Sequence, residues 1–142
     1  MAWMSSVQLI SEADTMRALR YGYSWLGGGV FLLAVVLYLA LAPIGTELIL
    51  KSDKAGHFIT FALLTIWFCG VFRLGRVPIV AIGLLAFGIL IELIQSRLAY
   101  RSAELADVVF DSLGILVGWG LAAAGFDRWT AMIESWLPEK TS

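Results

Sequence analysis

Charge is scarce in this chain. Only 15% of its 142 residues are Asp, Glu, Lys or Arg, against about 25% in ordinary soluble domains. Hydrophobic residues make up 60%, and the mean hydropathy is +0.85, which takes the chain out of the soluble class. Cysteine is nearly absent: Cys69 stands alone, so no disulfide can form within the chain. Histidine is as rare, and with His57 alone a bis-histidine haem within one chain is excluded. A net charge of −1 carries no nucleic-acid signature. Residues 1–22 are mixed polar and lack a convincing small-residue cleavage site, so the first hydrophobic run is expected to stay in place.

What the chain does have is length without charge. A spanning helix needs about 20 largely apolar residues, and four stretches approach this, at about 23–42, 55–72, 77–96 and 106–126. The runs are continuous rather than alternating, which favours helices over a barrel. The expectation is an all-α bundle of four transmembrane helices with short interfacial helices at the termini. Residues 1–22 form a cytoplasmic or interfacial segment, 23–126 the membrane domain and 127–142 an amphipathic tail.

Local signals mark the boundaries. Pro43 and Gly45 stop the first run, and its Gly27–Gly28–Gly29 triplet suits a bend or a close approach. Arg73–Leu74–Gly75–Arg76 closes the second run, and Pro78 opens the third at a favoured first-turn position. Val7, Ile10, Ala13 and Met16 suggest a short surface helix within 7–20. Trp129, Met132, Ile133 and Trp136 make a stripe at i, i+3, i+4 and i+7, of the kind that lies in the head-group layer. With four spans, Arg17, Arg20, Arg73, Arg76, Arg128 and Lys140 share one side; Lys51, Lys54, Arg97 and Arg101 share the other. Six against four favours cytoplasmic termini.

The polar residues converge. His57 lies in the first turn of the second span, Glu92 and Gln95 near the end of the third, Asp107 and Asp111 near the start of the fourth. In a four-span chain those places lie on one side of the membrane. Asp53 and His57 are four apart, and Lys54 is three before His57, so they can share a face. Asp107, Asp111, Gly114 and Gly118 step down the fourth span at four, three and four, continuing the carboxylate face as a small-residue stripe. An ionised acid at mid-membrane costs about 3 kcal/mol on insertion scales, and such groups are functional candidates. The alternative is a clasp of these carboxylates on Arg97 or Arg101, tying helix ends together. The Gly114–Gly118 pair suits packing within the chain better than a dimer seam. His57, Glu92, Asp107 and Asp111 could in chemical terms ligate a metal, but no tight ligand-pair spacing supports it, so neither metal nor cofactor is expected.

The blocks D53-K-A-G-H57-F-I-T-F61, I91-E92-L-I-Q95 and R101-S-A-E-L-A-D107-V-V-F-D111-S-L-G114-I-L-V-G118 resemble the VanZ-like membrane proteins. The resemblance covers about 50–120 and places the family's polar positions on Asp53, Lys54, His57, Glu92, Gln95, Arg101 and Asp107. Where the family usually has Asn before its glycine stripe, this chain has Asp111, an acceptor that can carry charge. The resemblance implies a multi-pass protein of the bacterial plasma membrane, in a family named for a member associated with teicoplanin resistance.

These readings lead to a polar pocket at the outer face that binds or modulates a membrane lipid head group or lipid-linked envelope precursor. Lys54 and Arg101 would meet phosphate, while Glu92, Gln95 and Asp107 would hold those cations and bond hydroxyls; Asp53 and Asp111 complete the ligand-binding set. The rival is a membrane-embedded enzyme with His57 as general base and Glu92 or Asp107 orienting it or serving as acid. An ion or proton conduit is disfavoured, because the inner halves of the spans carry almost no polar groups. The oligomeric state is left open.

Overall fold

A computed structural model describes residues 16–43 and 53–138, with the Asp53 side chain outside the description. Five α-helices follow in order: α1 Gly22–Leu41, α2 Asp53–Val71, α3 Val77–Gln95, α4 Leu105–Ala123 and α5 Trp129–Trp136. Short 3-10 turns at Leu74–Arg76 and Phe126–Arg128 precede α3 and α5. Among the described residues, four segments are long and apolar enough to cross a membrane: Gly22–Leu41, Lys54–Val71, Leu74–Gln95 and Leu105–Ala123. They sit within a few residues of the runs expected from the sequence. The expected N-terminal surface helix lies largely outside the described residues. Its last part is not helical: Met16 bridges to Phe72, and the Arg17 amide donates to the Val71 carbonyl.

Lipid tails are as apolar as leucine, so burial alone does not draw membrane helices together; close packing and hydrogen bonds do. The α2–α4 pair shows how. A Cβ on Gly114 would collide with the Phe58 carbonyl, and one on Gly118 would stand 2.6 Å from the Ala62 carbonyl oxygen. Only glycine permits this backbone-to-backbone approach, so the stripe does pack within the chain. The glycine triplet of α1 works similarly, since a Cβ on Gly29 would come within 2.7 Å of the Phe68 ring. Phe61, Leu64, Phe68, Leu84 and Ile115 fill the centre of the bundle. Outward positions such as Phe31, Leu63, Ile82, Leu93 and Leu116 stay exposed and apolar, as lipid-facing positions do.

One end of the bundle is closed by the C-terminal segment. Gly125, at φ 116, ends the α4 region in the left-handed conformation that glycine tolerates. Asp127 pairs with Arg17, and the Thr130 hydroxyl donates to the Gly70 carbonyl at 2.6 Å. Gly70 leaves room for the Trp129 indole, which donates to the Ile66 carbonyl at 3.2 Å and packs against Trp25 and Trp67. Glu134 accepts from the backbone amides of Arg20 and Tyr21 at 2.7 and 2.9 Å and from the Trp25 indole at 2.9 Å. It thereby supplies acceptors to amides at the start of α1 that no helical carbonyl can reach. The apolar stripe expected along this helix divides. Trp129 and Ile133 are half-buried, while Met132 and Trp136 are exposed. The buried positions are the polar pair Thr130 and Glu134, four residues apart.

Candidate functional site

The opposite end of the bundle gathers the acids. His57 lies one turn into α2, Glu92 one turn before the end of α3, and Asp107 and Asp111 in the first two turns of α4. The tight α2–α4 seam brings His57 against α4, so that its Nδ1 stands 2.8 Å from Asp111 Oδ1 and its Nε2 3.9 Å from Asp107 Oδ2. Ligand-capable atoms of His57, Glu92 and Asp107 all lie within 4.8 Å of one another. Asp111 is seated against α3 because Gly88, one turn deeper than Glu92, carries no side chain; a Cβ there would strike the Asp111 carboxylate.

These groups are shut away from solvent. Asp111 is 0% exposed, Asp107 1%, Glu92 7% and the His57 side chain 12%. A carboxylate only accepts, so with Asp111 ionised the 2.8 Å bond puts the imidazole proton on Nδ1. Asp107 lies in the first turn of α4, where the helix dipole favours an anion. One oxygen of Glu92 accepts from the Glu104 backbone amide at 3.0 Å. Its other oxygen, and Oδ2 of Asp111, are buried with no hydrogen-bond partner among the described residues.

The remaining polar residues of the expected set do other things. The Arg101 guanidinium donates to the Ala42 and Leu39 carbonyls at 3.1 and 3.4 Å, the Gln95 amide to Ala40 at 3.0 Å and the Tyr100 hydroxyl to Leu41 at 2.8 Å. Together they satisfy carbonyls at the C-terminus of α1 that would otherwise lack partners. Arg101 is therefore corrected from a cluster member to a cap on α1, and Arg97 is exposed. The acids converge on an imidazole, not on either arginine, so the arginine clasp is not the arrangement found.

Lys54 pairs at 2.8 Å with Glu104, a residue the sequence reading passed over. The Lys54 ammonium, by hydrogen bond and by charge, holds the Glu104 carboxyl below the usual carboxylate range. No periodicity links residues 50 positions apart in sequence, so nothing in the pattern announced this pair. Asp53's side chain lies outside the described residues. A cavity of about 320 Å³ lies away from the cluster, between α1, α2 and α3, lined by Leu33, Phe68, Arg76, Leu84 and Phe87 among others. None of the clustered acids lines it, so this void and the polar chemistry are separate features; the chemistry marks the candidate site.

Chemically, the cluster can accept hydrogen bonds from hydroxyls or ammonium groups, hold a cation, or position an imidazole as base. A family model described as VanZ/LLP1 matches residues 34–126, which contain every member of the cluster. A protein of Schizosaccharomyces pombe described as "Uncharacterized protein C11E3.10" is 37% identical over 89 residues, 60% of this chain and 54% of its own length. The chain thus spans about half the length of that relative. No solved structure matches the chain.

Proposed function

The chain belongs to the VanZ/LLP1 family, and we propose that this multi-pass membrane protein recognises a polar head group at its buried acidic cluster. The head group is that of a membrane lipid or a lipid-linked envelope precursor. The membrane is the plasma membrane, with cytoplasmic termini and the cluster near the outer face, a reading supported by the excess of Arg and Lys at the Arg17–Arg76–Arg128 end.

The carrying observation is the pair of acceptors, Glu92 Oε1 and Asp111 Oδ2, that are buried without donors among the described residues. Such atoms are rare in finished folds, and sugar or glycerol hydroxyls supply donors of the matching kind. Phosphate would be met at the rim, where Lys54 can exchange its exposed partner Glu104 for a second anion. The link to glycopeptide resistance rests on the family resemblance, and the geometry adds no support to it.

The test is lipid mass spectrometry on protein purified in detergent, comparing wild type with Glu92→Gln. A polar lipid that co-purifies with wild type and is lost from a folded Glu92→Gln protein is expected. The same lipids at the same occupancy in both would refute the reading.

The His57–Asp111 hydrogen bond favours a second reading, in which His57 acts as general base on the head group and Asp111 fixes its tautomer. Catalysis predicts turnover abolished by His57→Ala alone, whereas recognition predicts graded loss across the cluster.

A further inference from the structure

We propose that His57, Glu92 and Asp107 together bind one divalent metal ion of the zinc or manganese kind. This rests on the reading of the cluster as a ligand site and names what lies between protein and head group. The first support is placement. Three helices bring one nitrogen and two carboxylates together, with all three ligand atoms within 4.8 Å of one another. Metal–ligand bonds of about 2.0–2.2 Å put neighbouring ligand atoms in a tetrahedral set ~3.4 Å apart. The 3.9 Å between His57 Nε2 and Asp107 Oδ2 is therefore close to what an ion would draw in.

The second support is the orientation of the imidazole. Histidines that bind metal nearly always give their other ring N–H to a carboxylate or carbonyl, which fixes the tautomer and raises ligand basicity. Asp111 does this for His57 at 2.8 Å, so the lone pair sits on Nε2, the nitrogen on the Asp107 side. Asp111 thus acts as a positioning residue. Its replacement by Asn would leave the choice of tautomer open, because an amide can donate as well as accept.

The third support is electrostatic. Three buried carboxylates meet one imidazole, which carries at most one positive charge. Taking carboxylates out of water is unfavourable by several kcal/mol each, and a doubly charged ion offsets it directly. Glu92, 7% exposed, keeps a buried oxygen without a donor among the described residues, and a cation satisfies an acceptor as well as a donor does. The donor set selects the ion. Calcium takes about 6–8 oxygen ligands, more than this site offers, while imidazole suits zinc and carboxylates suit manganese. Three protein ligands leave a coordination position for an oxygen of the head group.

The experiment uses full-length protein in lipid nanodiscs, with Cys69→Ser to remove the thiol, stripped with chelator. It is titrated calorimetrically with zinc, manganese or calcium chloride. One equivalent of zinc or manganese should bind, at least 100-fold tighter than calcium. Affinity should fall at least 30-fold in Glu92→Gln and by about 10–100-fold in Asp111→Asn. Asp107→Asn serves if Glu92→Gln fails to fold, and a thermal melt establishes folding for each variant. Absence of stoichiometric zinc and manganese binding, or wild-type binding by a folded ligand variant, overturns the proposal. Co-purifying lipid is measured on the same detergent-purified preparation before chelation and nanodisc assembly. Lipid retained without stoichiometric metal binding removes the metal and leaves head-group recognition standing. Metal bound without any co-purified lipid supports the ion and removes the head-group reading.

Discussion

Replacing Gly114 by Ala should damage the stability of the bundle and the geometry of its acidic cluster at once. The new methyl group would meet the Phe58 carbonyl, which is backbone within a helix and cannot rotate away. The neighbouring contact sets the scale: a Cβ on Gly118 would lie 2.6 Å from the Ala62 carbonyl oxygen, whereas carbon–oxygen contacts settle near 3.3 Å or beyond. Relief requires α2 and α4 to separate by about 0.7 Å. The His57–Asp111 distance, 2.8 Å in the native packing, would then open to roughly 3.5 Å, outside the hydrogen-bond range. Overpacking costs about 1–3 kcal/mol, and loss of a hydrogen bond to a charged group adds about 1.5–3 kcal/mol. Gly118→Ala should destabilise too, but with less effect on the cluster, because it lies one turn further from Asp111. Gly120→Ala is the control. Its Cβ meets nothing within 4 Å, and better helix propensity should leave stability unchanged or raised by up to about 1 kcal/mol. The assay is unfolding in a fixed detergent, paired with ligand or metal binding at the cluster. A Gly114→Ala protein as stable as Gly120→Ala would refute the seam argument.

Other perturbations probe other parts. Arg101→Met removes donors from the Leu39 and Ala42 carbonyls; unfolding should show a loss of about 0.5–1.5 kcal/mol with ligand binding unchanged, and the reverse result would return Arg101 to the site. For Glu134, desolvation raises the carboxyl pKa, but the Tyr21 and Arg20 amides, the Trp25 indole and the Arg20 charge outweigh it and hold it below the usual range. Because the folded value is depressed, attachment of α5 should hold at neutral pH, weaken as pH falls below about 4.5 and be lost below the folded value. Tryptophan fluorescence reads this through Trp25 and Trp129, and Glu134→Gln should flatten the acid transition; an unaltered transition would dismiss Glu134 as its source. Cysteines introduced at Ile49 and at Gly75, in a Cys69→Ser background, should react differently with an impermeant thiol reagent, and labelling from outside at 75 alone would invert the proposed orientation.

The spans were legible because length and composition are enough for a membrane helix: about 20 residues with little charge leave few other choices. The meeting of His57, Glu92, Asp107 and Asp111 was legible for a geometric reason. Successive spans alternate in direction, which fixes which helix ends share a side, and spacings of three and four fix which residues share a face. Arg101 and Gln95 were misread because their partners are backbone carbonyls at the end of α1. A sequence does not display which orphan carbonyls lie beside which side chain. The tail was read by its apolar stripe, the conspicuous pattern, while the buried pair was Thr130 and Glu134. A polar residue that faces a helix start buries as readily as an apolar one, and hydropathy carries no sign of that. Metal-ligand spacing shows in a sequence when the ligands share one helix, whereas the three candidate ligands come from three.

The Glu134 contacts also have an order in time. Arg20 and Glu134 are separated by 114 residues, so at about 5–20 residues per second the ribosome delivers the acceptor roughly 6–23 s after the donor. For most of that interval the first span has been made but its opening amides have no Glu134 to hold them, and the other three spans are synthesised in the meantime. A ribosome stalled after α4 would leave a chain with the four described membrane segments and a first helix whose opening amides are unfastened. Assembly is then a latch closed after the spans are in place, and quality control that senses a loose first span would be reporting on the arrival of an eight-residue helix at the far end of the chain.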